Sequence, residues 1–148
     1  MRKINQIIIH CTATRAEWWA KKSPQAKVNE VRRWHVKERG WSDIGYHFLI
    51  DRNGAVVTGR PIEISGAHVR GQNSKSIGVA LFGGHGGSVD DSILDNFTPE
   101  QEESLLNLIK NYPEIKHISG HNQYAAKACP CFDVNLWYKS KNKKRWWQ

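Results

Sequence analysis

The chain has no apolar run of the length a membrane helix needs: stretches such as Ile7-Ile8-Ile9 fall far short of about 20 residues. Nor does the basic start, Met1-Arg2-Lys3, lead into the apolar segment of roughly 7 to 15 residues that marks a secretory signal peptide, so none is expected. Cysteine is scarce. Cys11, Cys129 and Cys131 make an odd set of three, and the last two stand two positions apart, badly placed to bridge each other. Free thiols or metal ligands therefore read better than a disulfide framework. Acidic residues are the minority, 14 against 22 Lys plus Arg, for a net charge of +8. That balance favours an anionic partner, whether nucleic acid, acidic wall polymer or lipid surface, without choosing among them.

What is present is the composition of a globular protein, with 39% apolar residues, 24% charged residues and seven Trp. A length of 148 residues predicts a single domain, 1–148, able to bury about 68–70% of its unfolded surface in one core. The core is expected over about 4–137, and 138–148 reads as a basic aromatic tail.

Ile4 to Cys11 is a near-continuous β-branched run, the mark of a strand buried on both faces. Ser23-Pro24 predicts an N-cap and first helical position, with Val28, Val31 and Trp34 at helical spacing until Gly40 stops the helix. Gly45–Asp51 and Ala55–Thr58 read as short strands around an Asn53-Gly54 hairpin turn, and Ser76–Phe82 as another buried strand. Four glycines in Gly83–Ser88 demand a loop. Thr98, Pro99 and Gln101 form a capping box ahead of a helix whose buried stripe is Leu105, Leu106, Leu108 and Ile109, ending near Pro113. His117–Ser119 reads as a strand, and Asp133 as the cap of a final turn. Alternating strands and helices predict an α/β fold, a central mixed β-sheet flanked by helices.

Seven histidines require explanation. His10 ends the first strand, His121 follows a later short strand, and Cys129 comes eight residues after it. Imidazole and thiolate both suit zinc, and three protein ligands leave a fourth position open, as catalytic sites do. The spacing matches no familiar zinc motif, so rim histidines and an inert buried thiol remain the alternative at this point.

Several motifs together narrow the choice. Ile8-Ile9-His10-Cys11-Thr12-Ala13-Thr14, Val31-Arg32-Arg33-Trp34-His35 and Gly45-Tyr46-His47-Phe48-Leu49-Ile50 resemble type 2 N-acetylmuramoyl-L-alanine amidases. Ser76 to Gly84, Asn96 to Gln101, Gly120-His121, Lys127-Ala128-Cys129-Pro130 and Phe132-Asp133 continue the resemblance in order and resemble especially the short phage lysozymes of that family. The family also includes animal peptidoglycan recognition proteins. The resemblance implies one Zn2+ held by His10, His121 and Cys129 in a surface cleft at the sheet rim. It further implies that Tyr46 and Lys127 assist the metal in cutting the bond between the lactyl group of N-acetylmuramic acid and L-alanine of bacterial peptidoglycan. His68 and Asn73 are the candidates for sugar or peptide contact.

The remaining groups receive lesser roles. His47 is expected to point away from Tyr46 and to be a satisfied core histidine, and His35 to pack. His85 and His117 receive none. Alternation turns Cys11 from the metal into the core, and Cys131 is a weaker candidate ligand than Cys129. The tail from Trp137 to Gln148 interleaves five basic residues with aromatics and suits an anionic wall polymer or membrane surface. No nucleic-acid partner is expected, since no such module is recognised, and the chain is expected to be a monomer. Lacking a signal peptide, such a lysin would reach the wall through a holin-type or secretion-system release. The competing reading is a non-catalytic peptidoglycan-binding or regulatory module of the same fold.

Overall fold

A computed structural model describes residues 2–146, with side chains described through Lys141. The basic and aromatic end of the tail, residues 142–148, lies outside the described side chains. Five strands form one sheet in the order β3-β2-β4-β1-β5. They are β1 (Gln6–Cys11), β2 (Phe48–Ile50), β3 (Val56–Thr58), β4 (Ser76–Leu81) and β5 (His117–Gly120). The pairs β1/β4, β1/β5 and β2/β4 are parallel and β2/β3 antiparallel, so the sheet is mixed, as its sequence predicts.

The two central strands, β1 and β4, are buried at every position, which accounts for their unbroken apolar pattern. One sheet face carries Ile7, Ile9, Ile77 and Val79 against Leu105 and Ile109 of α3 (Pro99–Lys110), with Val134 and Trp137 of α4 (Val134–Trp146) alongside. The other presents Leu49, Ala80 and Phe82 to Val28 and Val31 of α1 (Pro24–Arg33). A short α2 (Ile93–Asn96) precedes α3.

Local signals hold at the helix starts. The Ser23 hydroxyl accepts the Ala26 N–H with Pro24 at the first position, and Thr98 and Gln101 form the full capping box. Elsewhere the structure revises the expected bounds. The first helix gives way at Trp34–Glu38 to a π-helical turn before Gly40 (φ +74°) ends it. The expected Gly45–Asp51 strand shortens to Phe48–Ile50; His47 still bonds Gly59 and Gly78 in register, but the Gly45 carbonyl accepts the Ala67 N–H from another loop. The expected final turn after Asp133 is a helix of 13 residues.

Two buried polar devices tie the layers together. Gln101, fully buried on α3, donates from Nε2 to the Ile50 and Phe82 carbonyls at 3.0 and 2.9 Å, where β2 and β4 end. Lys27 on α1 donates to Asp51 at 2.8 Å, each side chain 5% exposed.

Candidate active site

Parallel pairing sets up the site. Ile9 of β1 stands opposite Gly120 of β5, so one step on, His10 and His121 emerge side by side at the carboxyl ends of the two strands. That is where open α/β sheets place their ligands. Their ring centroids lie 4.7 Å apart. The third group arrives from the loop beyond. Asn122 reaches forward from the turn His121–Gln123, donating to the Ala128 and Phe132 carbonyls at 3.3 and 3.2 Å, and so clasps the loop carrying Cys129. The Cys129 sulfur then accepts the Cys11 backbone N–H at 3.1 Å.

One potential ligand atom from each of His10, His121 and Cys129 lies within 4.8 Å of the others, and no other such cluster forms among the described residues. The electrostatics match metal ligation. Burial, then the neighbouring His68, His121 and Lys127, pushes His10 well below the ordinary imidazole range, and burial and Lys127 lower His121. Both rings therefore stay neutral, with a lone pair free. Cys129 is shifted toward thiolate chiefly by the neighbouring Cys11 thiol, with the Cys11 N–H and Lys127 adding to it, outweighing its burial.

Cys11 thus does more than pack. Its side chain does turn into the core, as alternation predicts, but its thiol is held protonated chiefly by its contact with Cys129. Cys131 sits apart, its thiol directed at the Gly84 carbonyl at 3.5 Å and its pKa pushed up to about 12 by burial.

Around these groups opens a cleft of about 610 Å³ whose walls include Arg39, Trp41, Tyr46, Arg70 and Lys127. The Tyr46 ring packs 5.1 Å from His10 and 5.5 Å from His35. Burial, followed by the nearby Cys129, raises its pKa, so it remains a hydroxyl donor. Lys127 is exposed, and its charge acts on both His121 and Cys129. A larger groove of about 840 Å³ between Val89–Leu94 and α4 has neither His nor Cys in its lining.

The other candidates fall as follows. His68 lines the cleft wall but is only 9% exposed, with Nδ1 2.8 Å from His10 Nε2 and Nε2 3.1 Å from Ser76 Oγ, and burial pushes its pKa to about 3. The Asn73 side-chain oxygen accepts the His68 and Val69 N–H groups, both at 2.9 Å, shaping the loop between them. His47 is a satisfied core group whose Nδ1 accepts the Gly78 N–H at 3.0 Å. His35 packs at the cleft floor, accepting the Gly45 N–H at 2.9 Å. Of the two given no role, His85 is exposed and His117 only brushes the Tyr124 hydroxyl at 3.3 Å.

The sequence profile of the N-acetylmuramoyl-L-alanine amidase family matches residues 1–132. The chain belongs to this family. Among relatives, the endolysin of Enterobacteria phage K11 is 40% identical over 143 residues, covering 94% of this chain and 88% of its own length. The endolysin of Escherichia phage T7 is 42% identical, covering 96% of this chain and 84% of its own. Among solved structures, the N-acetylmuramoyl-L-alanine amidase LysC from Clostridium intestinale URNW superposes with a TM-score of 0.71 at 28% identity, over 96% of this chain and 87% of that one.

Sequence reading of this amidase missed Arg60, a buried latch on the loop that carries Tyr46. Its guanidinium donates to the carbonyls of Ile44, Ser65 and Asp43 at 2.8, 2.9 and 2.9 Å. No motif marked it, since its three acceptors are backbone groups.

Proposed function

We propose that this amidase is zinc-dependent and hydrolyses the lactyl–L-Ala amide of bacterial peptidoglycan as a wall-lysing enzyme. The observation that carries the reading is the convergence of His10, His121 and Cys129 at one rim of the sheet. Two neutral imidazoles and a sulfur biased toward thiolate are a donor set that fits zinc. When bound, zinc supplies Lewis acidity toward the scissile carbonyl and activates water near neutral pH.

The protein's own groups do the rest. Lys127 offers positive charge where the tetrahedral oxyanion develops, and the Tyr46 hydroxyl, kept protonated by burial, donates a hydrogen bond to it. The proton that the departing L-alanine amine needs is the one released by the attacking water, and we assign Tyr46 as the group that passes it on, its hydroxyl giving one proton to the amine and regaining one from the water. The His68–Asn73 loop faces the sugar or stem peptide. Exposed Lys139 on α4 and the residues after it meet anionic wall polymer or membrane surface. The enzyme works as a monomer and reaches the wall by holin-type or secretion-system release.

The deciding experiment digests purified peptidoglycan and follows new L-alanine amino termini and glycan reducing ends in parallel. Amino termini without reducing ends, abolished by chelator and by Cys129→Ser and restored to the wild type by zinc, are expected. Zinc-loaded, folded protein that binds peptidoglycan without releasing amino termini overturns the enzyme reading in favour of the binding module.

A further inference from the structure

Behind the cleft, a line of hydrogen bonds runs from His10 into the body of the sheet. His10 Nε2 lies 2.8 Å from His68 Nδ1, His68 Nε2 lies 3.1 Å from Ser76 Oγ, and the Ser76 hydroxyl donates to the Gln72 carbonyl at 2.8 Å. Only the last group has a fixed role, because a carbonyl oxygen accepts and never donates. That one constraint orders the rest. Ser76 has a single hydroxyl proton, already given to Gln72, so it can only accept from His68, whose Nε2 must carry the hydrogen. A neutral His68 then has a bare Nδ1, which can only accept from His10. His10 is left with hydrogen on Nε2 and a free lone pair on Nδ1.

We propose that His68 and Ser76 are positioning residues that lock His10 in the tautomer presenting Nδ1 to a metal ion. This rests on the metal reading of the preceding subsection and extends it from the ligands to what orients them. Ligating histidines commonly use their second nitrogen in such a bond, usually to a carboxylate, carbonyl or water. Here a second imidazole takes that place and is itself oriented from the backbone.

The sheet is built to admit it. A side chain at Gly78 of β4 would put its Cβ 2.6 to 2.8 Å from Cγ, Cδ2 and Nδ1 of His68, and one at Gly66 would come within 2.9 Å of Cδ2. The His68 ring therefore lies flush against β4 because position 78 is glycine. Ser76 is wholly buried, so bulk solvent does not compete for its hydroxyl proton.

Two measurements test this on the intact chain. Nitrogen-15 NMR of the imidazole rings in metal-free protein reads the tautomers without any metal, and Nε2–H is expected for both His10 and His68. A His10 ring protonated on Nδ1 overturns the proposal. Zinc affinity by competition with a chromophoric chelator is the second readout. His68→Phe, which fills the space but offers no acceptor, is expected to weaken zinc about 10- to 100-fold, whereas His68→Asn, whose amide oxygen stands where Nδ1 does, recovers most of it. Ser76→Ala should admit the other His68 tautomer in the spectrum and weaken zinc about tenfold. Affinity of His68→Phe within twofold of wild type overturns the positioning role. Should wild-type protein bind no zinc, the metal reading fails by itself while the tautomer measurement still decides the relay. Thermal unfolding of each metal-free variant separates these effects from loss of fold.

Discussion

At Tyr46, burial and the nearby Cys129 and Cys11 outweigh the positive charge of Arg39, so the phenol stays protonated. A donor aimed at developing negative charge in a partly dry cleft contributes far more to the transition state than to substrate binding. Tyr46→Phe should therefore lower kcat about 10²- to 10³-fold with little change in KM. Steady-state kinetics on a soluble muropeptide checks this, and an unchanged kcat would return Tyr46 to a packing role. The candidate ligands were legible because each stands in a short motif of the amidase family. The groups that tune them were not, because their partners are remote in sequence. Cys11 and Cys129, whose contact favours the thiolate, are separated by 118 positions, and His10 and His68 by 58. No local pattern announces that such residues will meet. His68 read as a residue facing outward to substrate for the same reason, whereas most of its ring is engaged with His10 and Ser76.

At the scale of the elements, α3 illustrates how a capping residue can also be a tertiary strut. Gln101 closes the capping box at Thr98 and, from the same amide, bonds two strand-end carbonyls. Gln101→Ala removes one of two donors from each of two buried carbonyls, Ile50 keeping the Phe82 N–H at 3.0 Å and Phe82 keeping Arg52 at 3.4 Å, as well as a cap, and should destabilise by about 1–3 kcal/mol. Urea unfolding measures it, and a loss under about 1 kcal/mol would mean that water replaces the amide. Lys27 and Asp51 pose a different problem, a charge pair buried between α1 and the end of β2. Lys27→Met leaves Asp51 unpaired and should cost about 3–5 kcal/mol, while the double change Lys27→Met with Asp51→Leu should recover most of that loss. Equal losses in the single and double variants would show that the site needs its charges. Helix starts were readable because a cap is written within four residues. The length of α4 was not, because its basic sequence carries little helical stripe. It is held from outside, through Trp137 and Lys141, which both reach Glu102 on α3 at 2.8 and 3.3 Å.

For the whole molecule, the arrangement that keeps the imidazoles neutral also carries a stability cost in acid. His35 and His47 are both pressed below the ordinary imidazole value chiefly by burial, His35 to about 4. The other histidines of the cleft, His10, His68 and His121, shift the same way. In the unfolded chain each titrates near 6.5, so between that pH and the folded value the unfolded state binds more protons. Stability is therefore fully present above about pH 6.5 and falls as pH drops toward the folded pKa, by about 1.4 kcal/mol per pH unit for each histidine involved. The effect is distinct from ordinary acid unfolding through carboxylates. Asp43 and Asp91, whose pKa values are lowered by their hydrogen bonds, lose their contribution only below about pH 4. Denaturant unfolding of metal-free protein from pH 7.5 to 4.5 should show the slope, and His35→Asn separates the causes. Its amide oxygen can still accept the Gly45 N–H that Nδ1 accepts now, but it binds no proton. The variant should lose stability less steeply across this window, by one proton's share, and an identical slope would mean that His35 stays neutral equally well in both states.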